Sequence, residues 1–257
     1  MSLWVRCQVG SEAVYGVLQD EVIALHSGTP WDSPTPSGEM VALDQVRLLA
    51  PVQPMHFVGL WNNFHAAAAK HGYAIPDAPL TFLKSPGAIV GPEAEIAKPP
   101  SYEGRVIYEA ELGIVIGQTT RHATAEQAEA AIFGYTCVND VTALDLLHAD
   151  QSFPQWARAK SCDSFGPVGP AIATGLDWRG LTIRALLGGR ERQNYPASDM
   201  IFSPPEIVRL ISREMMLYPG DLIACGTSLG ALPMRAGMVI EVAIDGIGVL
   251  RNRMAEG

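Results

Sequence analysis

The stretch Tyr108-Glu109-Ala110-Glu111-Leu112-Gly113-Ile114-Val115-Ile116-Gly117 constrains this chain more than any other. It reads as a strand, apolar after its first residues and closed by a glycine. Side chains two apart in a strand share a face, so Glu109 and Glu111 point one way and Ala110, Leu112 and Ile114 the other. Neighbouring carboxylates repel and raise each other's pKa, which calls for a cation between them. Downstream, Phe133-Gly134-Tyr135-Thr136-Cys137-Val138-Asn139-Asp140 reads as a second strand ending in a third carboxylate. Three acidic oxygen donors without Cys or His suit Mg²⁺ or Mn²⁺, accommodate Ca²⁺ and disfavour zinc. The same spacing fits a solvated strand edge whose carboxylates pair with Arg or Lys, and alternation alone does not choose between the two.

At 257 residues the chain makes one large domain, or a main domain with a small appendage. Hydrophobic residues at 48% against charged residues at 18% point to a large core rather than disorder. A net charge of -9 argues against nucleic acid or anionic membrane as partners, while a local cation can still admit an anionic substrate. The start, Met1-Ser2-Leu3-Trp4-Val5-Arg6-Cys7, lacks a secretory apolar run, and no stretch nears the roughly 18 apolar residues of a membrane span. Four scattered cysteines (Cys7, Cys137, Cys162, Cys225), none in a C-x-x-C pair, read as reduced buried thiols of a cytoplasmic protein.

Residues 1–50 hold short apolar pieces, Ala13 to Leu18 and Val22 to Leu25, and the proline-rich turn Thr29 to Pro36. They read as a small β-rich N-terminal domain. Pro51-Val52-Gln53-Pro54 marks the boundary to a main domain over 51–257. That domain opens with a strand, Met55 to Leu60, and a helix from His65 to His71 stopped by Gly72. Residues 73–104 carry six prolines and read as mostly loop with short extended pieces, the kind of long connection that often serves function. Thr124-Ala125-Glu126-Gln127 is a capping box opening a helix that runs to Phe133-Gly134, and Val141 to Ala149 reads as helical. Leu181 to Leu187 before Gly188-Gly189 signals a hairpin. Ser203-Pro204-Pro205-Glu206 is a strong helix start with an apolar stripe of Ile207, Leu210, Ile211 and Met215. Strands follow at Asp221 to Cys225, Val239 to Ile244 and, past Asp245-Gly246, Ile247 to Leu250. The balance is β-rich α+β.

Gly226-Thr227-Ser228-Leu229-Gly230 has the letters of a nucleophile elbow but not its context. Ala231-Leu232-Pro233 follows where a helix belongs, and no histidine lies beyond His148. A glycine-flanked turn after a strand, with free backbone N–H groups, instead suits a carboxylate grip. There is no phosphate-binding glycine motif and no zinc-spaced Cys/His cluster. Lys160 precedes the rigid run Phe165-Gly166-Pro167-Val168-Gly169-Pro170, which suggests an ordered loop; lysines are usually solvated, and a first-turn histidine such as His65 is usually a cap or surface residue.

Taken together, Glu109-x-Glu111, Gly134-Tyr135 with Asn139-Asp140, Lys160-Ser161-x-Asp163-x-Phe165 to Pro170, Met216 to Asp221 and Gly226-Thr227 resemble the fumarylacetoacetate hydrolase family over residues 55–253. The resemblance implies a mixed β-roll, normally a homodimer, with Glu109, Glu111 and Asp140 binding Mg²⁺ or Mn²⁺. It implies small 2-oxo or 2,4-dioxo acid substrates, many from aromatic-compound breakdown, that chelate the metal. Lys160 would add positive charge beside a developing enolate, which a cation stabilises by several kcal/mol. Gly226 and Thr227 would hold a substrate oxygen, and His65 would move protons or activate water. Two positions depart from the family pattern. Ala68 replaces the glutamate that orients the histidine, which weakens the imidazole as a base, and Leu144 replaces a basic residue. The expected function is therefore decarboxylation or keto–enol isomerisation of 2-oxo dicarboxylic acids. Hydrolysis of acylpyruvates or fumarylpyruvate, with a carboxylate from 73–104 replacing the lost glutamate, is one alternative. A non-catalytic metabolite-binding role is the other.

Overall fold

A computed structural model describes residues 1–256. Two sheets carry most of it. The larger has twelve strands, in the order Thr35–Ala42, Val22–Ser27, Glu12–Gln19, Ser2–Val9, Gly166–Thr174, Ile132–Asn139, Ala110–Ile116, Leu222–Ala224, Phe57–Trp61 and Leu80–Lys84, with Arg47–Leu49 and Ile89–Val90 paired off this path. The smaller has five strands, Arg190–Pro196, Thr182–Leu187, Val239–Ile244, Gly248–Met254 and Glu95–Ile96. Most pairs are antiparallel, but Leu222–Ala224 runs parallel to Phe57–Trp61, so the roll is mixed. Among the described residues neither sheet closes into a barrel. No helix among them is long and apolar enough to cross a membrane.

The strand Ala110–Ile116 is buried along its whole length, and its alternation sorts two cores. Ala110, Leu112, Ile114 and Ile116 pack with Ile183, Ala185 and Val242 between the sheets. Val115 meets Val138, Leu222 and Phe57 on the other face. Glu111 and Gly113 belong to that second face by the period of two, as the sequence suggested.

Local signals place several elements where the sequence puts them. The helix His65–His71 ends at Gly72 in the left-handed region (φ 70), which favours glycine. Thr124 and Gln127 form a complete capping box, as do Ser203 and Glu206. Gly188 and Gly189, both at positive φ, turn the hairpin between Thr182–Leu187 and Arg190–Pro196. Other elements differ from expectation. The helix after Thr124 stops at Ala131, because Ile132 already starts the next strand. In Val141 to Ala149 only Leu144–Leu147 is α-helical, and Thr142–Ala143 pairs with Val106–Ile107. Residues 80–84, inside the proline-rich stretch, form a strand paired along its length with Phe57–Trp61. The run expected as an ordered loop is the strand Gly166–Thr174. Pro170 is tolerated there because the ladder to Ile132–Asn139 breaks between Tyr135 and Cys137, opposite residues 170–172. At the N-terminus, Ser2–Val9 pairs with Gly166–Thr174, so the large sheet runs unbroken from the first residues to the centre.

Candidate metal centre

The register Ala110↔Asn139 brings the start of one strand beside the end of its neighbour. Glu109 stands just before Ala110–Ile116, Glu111 is its second residue, and Asp140 follows Ile132–Asn139. Backbone bonds fix this corner: Asp140 N–H donates to the Glu109 carbonyl (2.9 Å), and Glu109 N–H to Asn139 Oδ1 (3.1 Å). One oxygen from each carboxylate lies within 4.8 Å of the others.

Glu109 and Glu111 each have one oxygen tied down, and Asp140 has both. Glu111, fully buried, accepts from Gly226 N–H through Oε2 at 2.7 Å, while its buried Oε1 has no partner. Glu109 Oε2 takes Lys160 Nζ at 2.6 Å. Asp140 accepts from two buried lysines, Lys84 at Oδ1 and Lys160 at Oδ2, each at 2.5 Å. Lys160 closes the helix Trp156–Lys160, with Phe82 beneath its ammonium at 5.0 Å.

The titration shifts follow from burial and this charge pattern. Burial and then the neighbouring Asp140 and Glu109 push the Glu111 carboxyl well up. Burial also raises Glu109, against the pull of Lys160. Burial alone would raise Asp140, but Lys160 and Lys84 outweigh it and hold it below the usual carboxylate range. Burial works to lower Lys160 as well, yet Asp140, Glu109 and Glu111 together raise it. Lys84 is lowered by its burial despite Asp140.

The solvated-edge alternative is thus half met. Lysines do pair with these carboxylates, but the two Asp140 pairs are buried, the Glu109 pair is partly so, and Glu111 Oε1 is left orphaned. A buried acceptor without a partner is costly, and an all-oxygen donor set is what a hard dication binds. Three carboxylates against two ammonium groups leave one net negative charge, so the residues present fit Mg²⁺ or Mn²⁺.

Gly226 and Thr227 lie in the turn after Leu222–Ala224, and the carboxylate this turn grips is the protein's own Glu111. Thr227 Oγ1 donates to the Ala110 carbonyl and accepts from Gln193 Nε2, both at 2.9 Å. Gln193 also donates to the Ser228 and Leu229 carbonyls (3.2 and 3.3 Å) and accepts from Ala110 N–H at 3.1 Å. The Tyr195 hydroxyl donates to the same Ala110 carbonyl. His65 is exposed at the first position of its helix, and no hydrogen bond ties it to the carboxylates. Ala68 is fully buried. The carboxylates between residues 73 and 104 (Asp77, Glu93, Glu95, Glu103) are all exposed, and Glu93 pairs with Arg251. Beside Leu144, Asp145 pairs with Arg105 at 2.7 Å.

Lys84, Gln193 and Tyr195 were not expected at the site, and Asn139 was expected only as part of the Asn139-Asp140 motif, with no role of its own. Gln193 and Tyr195 alternate with exposed Arg192 and Asn194 on the return strand of the hairpin, a signal that was available. Lys84 closes five residues of strand hidden among prolines.

Residues 56–255 match the family described as fumarylacetoacetate (FAA) hydrolase, C-terminal. The chain belongs to the fumarylacetoacetate hydrolase family. Residues 3–51 match the Rv2993c-like N-terminal family. Among family relatives, the oxaloacetate tautomerase YisK of Bacillus subtilis is 34% identical over 84% of this chain and 75% of its own. The crystal structure of 5-carboxymethyl-2-hydroxymuconate delta-isomerase from Mycobacterium smegmatis superposes with a TM-score of 0.91 at 32% identity, covering both chains fully. Maleylpyruvate hydrolase from Sphingobium sp. SYK-6, in complex with manganese (II) and pyruvate, gives a TM-score of 0.81 at 27% identity, again over both full chains.

Proposed function

We propose that this chain is a divalent-metal-dependent enzyme acting on small 2-oxo (di)carboxylic acids through an enolate, by keto–enol isomerisation or decarboxylation. The observation that carries the reading is the convergence of Glu109, Glu111 and Asp140 with one buried, unpartnered oxygen among them. When bound there, Mg²⁺ or Mn²⁺ supplies concentrated positive charge for the carboxylate and 2-oxo oxygen of such an acid. Lys160 adds a second positive charge at the same corner and is held protonated by the carboxylates around it. The Gly226 turn, clamped by Gln193, fixes the Glu111 side chain. His65, at the start of its helix, is the candidate proton carrier.

Ala68 decides between reaction types. Hydrolysis needs an activated water, and a histidine without an orienting carboxylate is a poor base for it. Shifting a proton beside a polarised carbonyl, or releasing CO₂ from it, makes no such demand. Relatives named as a tautomerase and an isomerase support this choice. Hydrolysis is the second reading, favoured by the fold's likeness to maleylpyruvate hydrolase. We further place the enzyme in the cytoplasm as a homodimer, with substrates from aromatic-compound breakdown.

The test is to give the purified, Mn²⁺-loaded protein enol-oxaloacetate and an acylpyruvate. Absorbance would report enol decay and acylpyruvate cleavage, and CO₂ release would be followed separately. Fast enol decay or CO₂ release is expected. Rapid acylpyruvate cleavage with neither would overturn the reading, and tight oxalate binding without any turnover would make the chain a binding protein.

A further inference from the structure

Lys84 has no part in the chemistry proposed above, yet it sits at the centre of the site. It ends the strand Leu80–Lys84 opposite Phe57, whose ring lies 5.7 Å from its ammonium, and its side chain is fully enclosed. Burying a lysine is costly unless a partner compensates. Nζ donates to Asp140 Oδ1 at 2.5 Å and to the Val141 carbonyl at 3.3 Å. It therefore grips both the side chain of Asp140 and the backbone just after it.

We propose that Lys84 is a positioning residue: it pins Asp140 Oδ1, so that only Oδ2, which Lys160 also holds, is left for a bound dication, and its fixed charge keeps the site from holding that ion too tightly. The inference rests on reading Glu109, Glu111 and Asp140 as the metal centre. The pattern around it agrees. Glu111 is likewise pegged at one oxygen by a fixed donor, Gly226 N–H, with its other oxygen free, whereas Asp140 is held at Oδ1 by Lys84 and at Oδ2 by Lys160. Lys160 differs, because it touches Glu109 and Asp140 together. Without Lys84, Asp140 could rotate and chelate through both oxygens, and the net charge of the cluster would fall from one negative to two.

The experiment compares wild type, Lys84→Met and Lys84→Arg by Mn²⁺ titration of substrate-free protein, read by electron paramagnetic resonance, and by kcat and KM for oxaloacetate tautomerisation. Lys84→Met is expected to bind Mn²⁺ about tenfold more tightly, since a nearby like charge has gone. Its kcat is expected to fall about tenfold or more, the usual cost of losing the group that orients a metal ligand. Lys84→Arg should return the affinity toward wild type while recovering only part of kcat. A lysine that merely supports the fold would give the opposite sign, with weaker Mn²⁺ binding. Unchanged or weaker binding in Lys84→Met, or a kcat within about twofold of wild type, would overturn the proposal. If Lys84→Met does not fold, full kcat in Lys84→Arg would overturn it equally. Failure of the metal-centre reading looks different: wild type and Glu111→Gln would take up Mn²⁺ alike.

Discussion

Replacing Gln193 by leucine tests how far the site depends on a residue that touches none of its carboxylates. Gln193 is 1% exposed; it accepts from Ala110 N–H and shares its two Nε2 hydrogens among Thr227 Oγ1, Ser228 O and Leu229 O. Leucine fills a similar volume but satisfies none of them. The Ala110 amide lies in a wholly buried residue and loses its acceptor, and the turn after Cys225 loses the donor that ties it to the hairpin strand. At about 1–3 kcal/mol for each buried group left unsatisfied, two such groups give an expected loss of about 2–6 kcal/mol. The turn also presents Gly226 N–H to Glu111, so Mn²⁺ affinity should fall about tenfold as that peg loosens. Urea denaturation of metal-free protein measures the first quantity and Mn²⁺ titration the second. The exposed neighbour Asn194, replaced by alanine, is the control and should change stability by no more than about 0.5 kcal/mol. A Gln193→Leu loss no larger than the control's, with Mn²⁺ binding intact, would refute the idea that this glutamine clamps the site.

Two substitutions among the carboxylates should separate by sign. Glu111→Gln keeps an acceptor for Gly226 N–H and relieves like-charge repulsion, so it should abolish Mn²⁺ binding without lowering the thermal stability of metal-free protein. Asp140→Asn strips two buried lysines of their shared partner and should destabilise the same protein by about 3–5 kcal/mol in urea; equal losses for the two would contradict the charge pattern described. The pH dependence follows from the raised Glu111 carboxyl, whose contribution to stability is complete below the ordinary carboxylate range and lost as pH rises through its raised value. Asp140, lowered, contributes above that range and loses its contribution only as pH falls through its lowered value. Melting of metal-free protein should therefore drop as pH rises above the ordinary carboxylate range, and saturating Mn²⁺ should flatten the slope; a rise there would count against it. His65→Ala, at an exposed position, should leave melting unchanged while lowering acylpyruvate cleavage more than tautomerisation.

Much of this was legible because the signals are local. A capping box needs only four residues, and both Thr124–Gln127 and Ser203–Glu206 form as written. Gly72 and the Gly188-Gly189 pair announce backbone geometry that other residues resist. The alternation in Ala110–Ile116 sorted the two cores correctly, and the three carboxylates came together as their strand positions suggested. What stayed hidden depends on partners distant in sequence. Lys84 matters because Phe57–Trp61 pairs with its strand and carries it to Asp140, 56 residues away. Gly166–Thr174 is a strand despite Pro170 because its neighbour's ladder breaks beside it. Gln193 becomes a clamp only once the hairpin lies against the Gly226 turn.

If the metal centre is as proposed, the oxygens of Glu109, Glu111 and Asp140 share one hard dication. Anomalous diffraction from a crystal soaked with Mn²⁺ and oxalate measures this most directly. A single strong peak bounded by those three side chains is expected, with oxalate oxygens completing its coordination. A crystal saturated with Mn²⁺ that shows no peak there, or shows one only elsewhere, would contradict it.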